Sequence, residues 1–226
     1  MSGVDEFRRR MGIPAQDNLA RAAEMAFAAV AGQSDEQLLW LGATGVSPVS
    51  RQKARATCPW HAVWLLPVLD DVFQVDLSGS RITTSAGRRV GLHWTILALH
   101  YLAITALPER HPPQTTFAEL PTARSYSGVY HQRVIARLCA TAGRDAQTLS
   151  AAAAALGWRR AEDGNLAFDF DVFPHLSLRL IWHAPDDEFP PSATLLMPEN
   201  TEAYFCSEDI VVLSEAVVSR LAGRPF

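Results

Sequence analysis

NLAFDFDVFPHLSLRLIWH, residues 165–183, decides the fold. Leu166, Phe168, Phe170 and Val172 alternate with Ala167, Asp169 and Asp171. Leu176, Leu178, Leu180 and Trp182 then alternate with Ser177, Arg179, Ile181 and His183. A period of two marks a strand with one buried face. Residues directly opposite in an antiparallel pair share a face. That parity pairs Val172 with Leu176 and leaves Phe173-Pro174-His175 as the loop. It sets Asp169 opposite Arg179, an ion pair on the polar face, and Asn165 opposite His183.

Working outward, ATLLM (193–197) reads as one more strand, and Ser207 as the cap of a last helix, 208–222, with Glu208 and Asp209 in its first turn. Upstream, 146–156 is an Ala-rich helix closed by Gly157, and 126–142 a helix with Tyr126, Tyr130, Val134 and Leu138 at steps of four. TTFAELP is short and extended. GLHWTILALHYLAITAL (91–107) is apolar almost all round, the mark of a central helix, and Pro108 follows it. AVWLLPVL is a continuous apolar run; Phe73, Val75 and Leu77 alternate after it, and Ser78-Gly79 turns into RITT. A helix over 17–31, capped by Asp17, and a short one from Ser34 precede a Gly- and Pro-broken connector, 42–59, read as the mobile segment. Antiparallel strands with helices clustered between them make an α+β fold. A mostly antiparallel sheet packs on a central apolar helix and several others. The expected domain spans 59–226, behind an N-terminal helical extension and connector, 1–58.

The chain has 226 residues and a net charge of -4. Residues 81–160 carry ten Arg and three acids; residues 161–209 carry one Arg and eleven acids. The expectation is that the two segments pack and offset each other. An acidic C-terminal half is a poor nucleic-acid surface. No run of 18 apolar residues suggests a membrane span, and the first residues do not read as a secretory signal. Three scattered cysteines do not make a disulfide framework, so a reducing, cytoplasmic setting is expected. Nucleotide-loop, GxSxG, HExxH and CxxC motifs are absent.

Chemistry-bearing residues are few. Cys58-Pro59-Trp60-His61 places a thiol and an imidazole where haem iron or a metal is ligated, or is an incidental loop. His93 and His100 lie seven apart on one helical face, a rise of about 10.5 Å, too far to share one ion. Asp186-Asp187-Glu188-Phe189-Pro190-Pro191 follows the strand ending at His183. Its carboxylates with His183 form a set for a hard or borderline cation, and Glu188, beside Phe189, is read as turning inward. Adjacent carboxylates raise one another's pKa and suit acid–base work. Glu119 is read as a cap or a ligand. Tyr101, Tyr126 and Tyr130 with the tryptophans form either a pocket lining or core.

LHYL (99–102), FAELPTARSY (117–126), FDVFPHLSLRLIWHAPDDEFPPSATLLM (170–197) and SEDIVVLSEAV (207–217) together resemble the prokaryotic family known as domain of unknown function 3786, over roughly residues 70–222. The resemblance carries no established activity. Its members' association with iron–sulfur segments implies corrinoid, haem or metal metabolism. Relatives have an Asp where this chain has Met197-Pro198, and a Gly where it has Pro113-Gln114-Thr115.

Three readings stay open. The first is a ligand-binding or accessory protein for a tetrapyrrole-like cofactor (haem or corrinoid) or a metal. His100, Tyr101, Tyr126, His183 and Glu188 would line its pocket, between the 91–107 helix and the sheet. The second is a protein-interaction subunit docking through the acidic C-terminal half. The third is a small metal-assisted hydrolase with Glu188 as base and Asp187 or His183 holding the cation; Asp187 and Glu188 are the metal candidates.

Overall fold

The computed structural model describes residues 15–46, 63–106, 108–109 and 111–226. Two antiparallel sheets form its frame. The first is a meander of β1 (Thr44–Val46), β2 (Val63–Val68), β3 (Asp71–Asp76) and β4 (Arg81–Thr83). The apolar run of β2 resolves into alternation: Trp64, Leu66 and Val68 are buried and Pro67 is exposed.

The second sheet holds β5 (Gln114–Thr116), β6 (Arg159–Ala161), β7 (Leu166–Phe173), β8 (Leu176–His183) and β9 (Ser192–Pro198) in the order β5-β9-β8-β7-β6. β7 and β8 pair in the expected register from Leu166↔Trp182 through Asp169↔Arg179 to Asp171↔Ser177. Arg179 donates from Nε to Asp169 Oδ1 at 2.6 Å and from Nη1 to Asp163 Oδ2 at 2.7 Å. The loop differs from expectation. A bulge at Val172 moves the last pair to Phe173↔Leu176, leaving Pro174 and His175 between the strands. An extra residue in one strand turns two consecutive side chains to buried positions, and Val172 and Phe173 are both fully enclosed. The bulge also frees Val172 O to accept from Leu69 N in the β2–β3 turn, which ties the two sheets.

Helices fill the space between. α1 (Ala15–Ala31) and α2 (Asp35–Trp40) lead into β1. Ser34 Oγ accepts from Gln37 N, the expected cap of α2. α1 begins at or before Ala15, ahead of the Asp17 expected to cap it. Ala26, Phe27, Val30, Leu38 and Leu41 belong to the same hydrophobic core as the strands. Residues 47–59 of the connector lie outside the described residues.

α3 (Leu92–Leu102) is central, buried from Trp94 to Leu99 and again at Tyr101 and Leu102. It stops five residues short of the expected end. Helix ends leave carbonyls without intrahelical partners. Here Gln33 Nε2 donates to Ala103 O at 2.7 Å and Gln37 Nε2 to Ile104 O at 2.9 Å.

A 3₁₀ turn at Arg124–Tyr126 enters α4 (127–140), so Tyr126 is a turn residue. α4 widens into a π turn at His131–Ile135. α5 (Ala146–Ala155) follows, capped by Asp145, whose Oδ1 accepts from Thr148 N. α6 (Ser207–Leu221) closes the fold. Its N-cap is Cys206, not Ser207: Ser207 Oγ shares a 2.7 Å hydrogen bond with Thr122 Oγ1 and is therefore engaged elsewhere. α4 and α6 cover one face of the second sheet, with Val134, Leu138, Val217 and Leu221 over Phe170, Leu180 and Leu195.

Candidate functional site

The residues expected to line one pocket do not gather. Tyr101, on the last turn of α3, is wholly enclosed. Its ring stacks on Phe173 at 4.6 Å and on Tyr204 at 5.6 Å. Its hydroxyl donates to Leu41 O at 2.9 Å and accepts from His175 N at 3.2 Å. His175 Nε2, as the protonated nitrogen, donates to Trp40 O at 2.6 Å. Gly42 completes this node. Its φ of +81° suits glycine, and a Cβ there would lie 2.5 Å from the Pro174 ring. Every polar atom of Tyr101 is thus engaged within the fold, joining α2, α3 and the β7–β8 loop.

His100, the neighbouring residue, faces another way. Its Nδ1 lies 2.9 Å from Asp209 Oδ2, and that hydrogen bond holds the imidazole pKa above its ordinary value against the opposing cost of burial. The pair joins the last turn of α3 to the first turn of α6. Tyr126 is exposed, and Tyr130 is buried, stacked on Phe117 at 4.1 Å. Burial pushes the Tyr130 phenol up. His93 and His183 are exposed. Glu119 is a cap: its Oε2 accepts from Thr116 N at 3.1 Å and Thr115 Oγ1 at 2.8 Å.

Glu188 does not turn inward; it is exposed, as is Asp187. The cause is local. Asp186 Oδ1 accepts from Glu188 N at 2.9 Å and Phe189 N at 2.8 Å, while Asp186 N donates to Phe189 O. That tight turn leaves residues 187–189 in solvent, and the two amides hold the Asp186 carboxyl below its usual range. Among the described residues no three His, Cys, Asp or Glu side chains gather to hold a metal ion. The set around Asp187, Glu188 and His183 therefore does not fit a cation. Cys58 and His61 lie outside the described residues.

Some acids of the C-terminal half pair with Arg side chains near the surface. Arg133 donates to Glu215 Oε2 at 2.6 Å and to Glu208 Oε1 at 3.3 Å, and Arg159 to Asp171 Oδ2 at 3.0 Å. Of these, Arg133–Glu208 and Arg159–Asp171 join the basic middle segment to the acidic one.

What the structure does assemble is a groove beside that acidic turn. Its volume is about 590 Å³. One wall is α4, through His131, Ile135, Ala136, Cys139 and Ala140. The other is Phe189, Pro190, Pro191 and Ser192, where the loop enters β9. The small side chains of Ala136 and Ala140 leave room on the helix, and two prolines delay the strand until Ser192. Phe189 is 66% exposed. Burial pushes the Cys139 thiol up, so it stays protonated. π turns are rare and recur at functional sites.

The family model described as Domain of unknown function (DUF3786) matches residues 51–220. The chain belongs to that family. No curated protein and no solved structure matches it. In this DUF3786 chain the match runs from before β2 almost to the end of α6, beginning earlier than the resemblance over 70–222 suggests. Both walls of the groove and the Tyr101 node's α3 lie within it; α1 and α2 precede it. Met197 and Thr115 are cross-strand partners on β9 and β5.

None of the expected site residues lines the groove, although Glu188 immediately precedes Phe189. The sequence holds Phe189-Pro190-Pro191 and the alanines 136 and 140 four apart, but that they face each other across open space shows only in the fold.

Proposed function

We propose that this DUF3786 chain is a ligand-binding protein whose groove between α4 and the 189–192 loop takes a flat, largely apolar small molecule. The observation that carries this reading is the groove itself. Its volume falls within the range of about 300–1,000 Å³ common for small-molecule sites, and its walls are carbon-rich with a few polar groups. His131, Cys139 and Ser192 supply those groups. The exposed ring of Phe189 gains a partner when a flat molecule lies between it and α4. His131 and Cys139 are the lining residues that could ligate a tetrapyrrole's metal, and no Arg or Lys is among them to meet its acidic side chains. A small aromatic molecule makes fewer demands on the residues present.

The test uses the neutral naphthalene ketone prodan as a fluorescent probe of the full chain. Ala136 is exposed and lines the groove, so Ala136→Trp fills the space without entering the core. Saturable prodan binding that Ala136→Trp abolishes supports the reading. Binding unchanged by that substitution contradicts it.

A further inference from the structure

The walls of the α4 groove carry no Lys, Arg, Asp or Glu. The chain that leads into one wall is strongly charged. Asp186, Asp187 and Glu188 directly precede Phe189. Successive Cα atoms are about 3.8 Å apart, so the backbones of Asp187 and Glu188 lie within about 8 Å of that of Phe189. That is about one Debye length at physiological salt, so both charges act at the groove whichever way their side chains turn.

The local bases do not offset them. Asp187 and Glu188 are exposed and form no ion pair among the described residues. Arg179, the one Arg of residues 161–209, is taken up by Asp169 and Asp163. On α4, Arg133 is held by Glu208 and Glu215, and Arg137 does not line the groove. Phe189 adds a second preference of the same sign. Its ring is exposed, and the face of an aromatic ring attracts a cation within about 6 Å. The groove is open to solvent beside that ring, so a positive group there keeps part of its hydration and escapes the full cost of burying a charge.

We infer that the groove's ligand is a flat aromatic cation, with its rings between Phe189 and α4 and its charge toward the Asp187–Glu188 end. This rests on the ligand-binding reading above and adds the sign of the ligand's charge. Aromatic anions meet the same two carboxylates as repulsion.

Two probes on one naphthalene body test the sign: 2-naphthyltrimethylammonium and 2-naphthalenesulfonate, each competing with prodan on the full chain. At about 20 mM salt the cation is expected to bind about ten-fold more tightly than the anion. In the variant carrying both Asp187→Asn and Glu188→Gln the ratio should fall to about two-fold or less. Both side chains are exposed and the Asp186 turn is untouched, so the fold is kept. Ala136→Trp should abolish binding of the cation. An anion bound as tightly as the cation, a ratio unchanged in the double variant, or a cation that still binds Ala136→Trp overturns the inference while prodan binding keeps the groove. Failure of the wild-type chain to bind prodan removes the groove reading and this inference with it.

Discussion

α3 and α4 both pack beside a buried sheet face, and they differ in how completely they are closed off from solvent. On α3 the Tyr101 hydroxyl has a donor and an acceptor, and its ring has a partner on each side. On α4 the helix widens into a π turn, and Ala136 and Ala140 line an open groove whose other wall carries the exposed Phe189. A fully matched polar group in a closed core holds the fold together. A groove left open beside an exposed ring offers surface that something outside the chain can cover.

The largest effect should come from breaking the closed side. Tyr101→Ala removes a fully buried ring and leaves Leu41 O and His175 N without their partner. It is expected to cost about 4 kcal/mol in denaturant unfolding. A cost near 1 kcal/mol would mean the node is far less rigid than its geometry.

The two buried tryptophans sharpen the comparison further. Trp182→Phe orphans Gly143 O, whereas Trp158→Phe orphans nothing. Both shrink an indole to a phenyl ring, so cavity costs are similar. Trp182→Phe is expected to destabilise by about 1–2 kcal/mol more than Trp158→Phe. Equal costs would show that the Trp158 N–H has a partner in solution.

A smaller, pH-dependent effect belongs to the α3–α6 link. Asp209 raises the His100 pKa in the folded chain. The stabilisation is then complete below the unfolded value, about 6.5, and is lost as pH rises through the raised folded value. The pair is partly exposed, with His100 at 37%, so the gain stays below about 1 kcal/mol. The stability difference between the wild-type chain and His100→Gln should be larger at pH 5.5 than at pH 8.5. A difference that grows with pH would reverse the assignment. Smallest of all is the expected stability change in Ala136→Trp, within about 0.5 kcal/mol by thermal unfolding, since the position is exposed.

Most of the frame was legible because it rests on periodicity. The β7–β8 register followed from parity alone, down to the Asp169–Arg179 pair. The bulge at Val172 was not legible: a β-bulge leaves no mark in an apolar stretch where both Val172 and Phe173 suit burial. The early end of α3 was hidden for a related reason. It depends on Gln33 and Gln37, some 67 to 71 residues away in sequence. The candidate site was less legible still. Titratable residues drew attention to the acidic turn, and an Asx turn keeps that turn's side chains in solvent. The groove beside it is built from Ala, Ile, Pro and Phe, and such residues advertise core until the fold shows them exposed.

The contrast between the two helices is tested most directly by amide NMR of the ¹⁵N-labelled full chain titrated with prodan. The account predicts shifts that cluster at His131, Ile135, Cys139 and Phe189. Tyr101, His175 and Leu41 should stay in place. Shifts centred on the Tyr101 node with a silent α4 groove would contradict it.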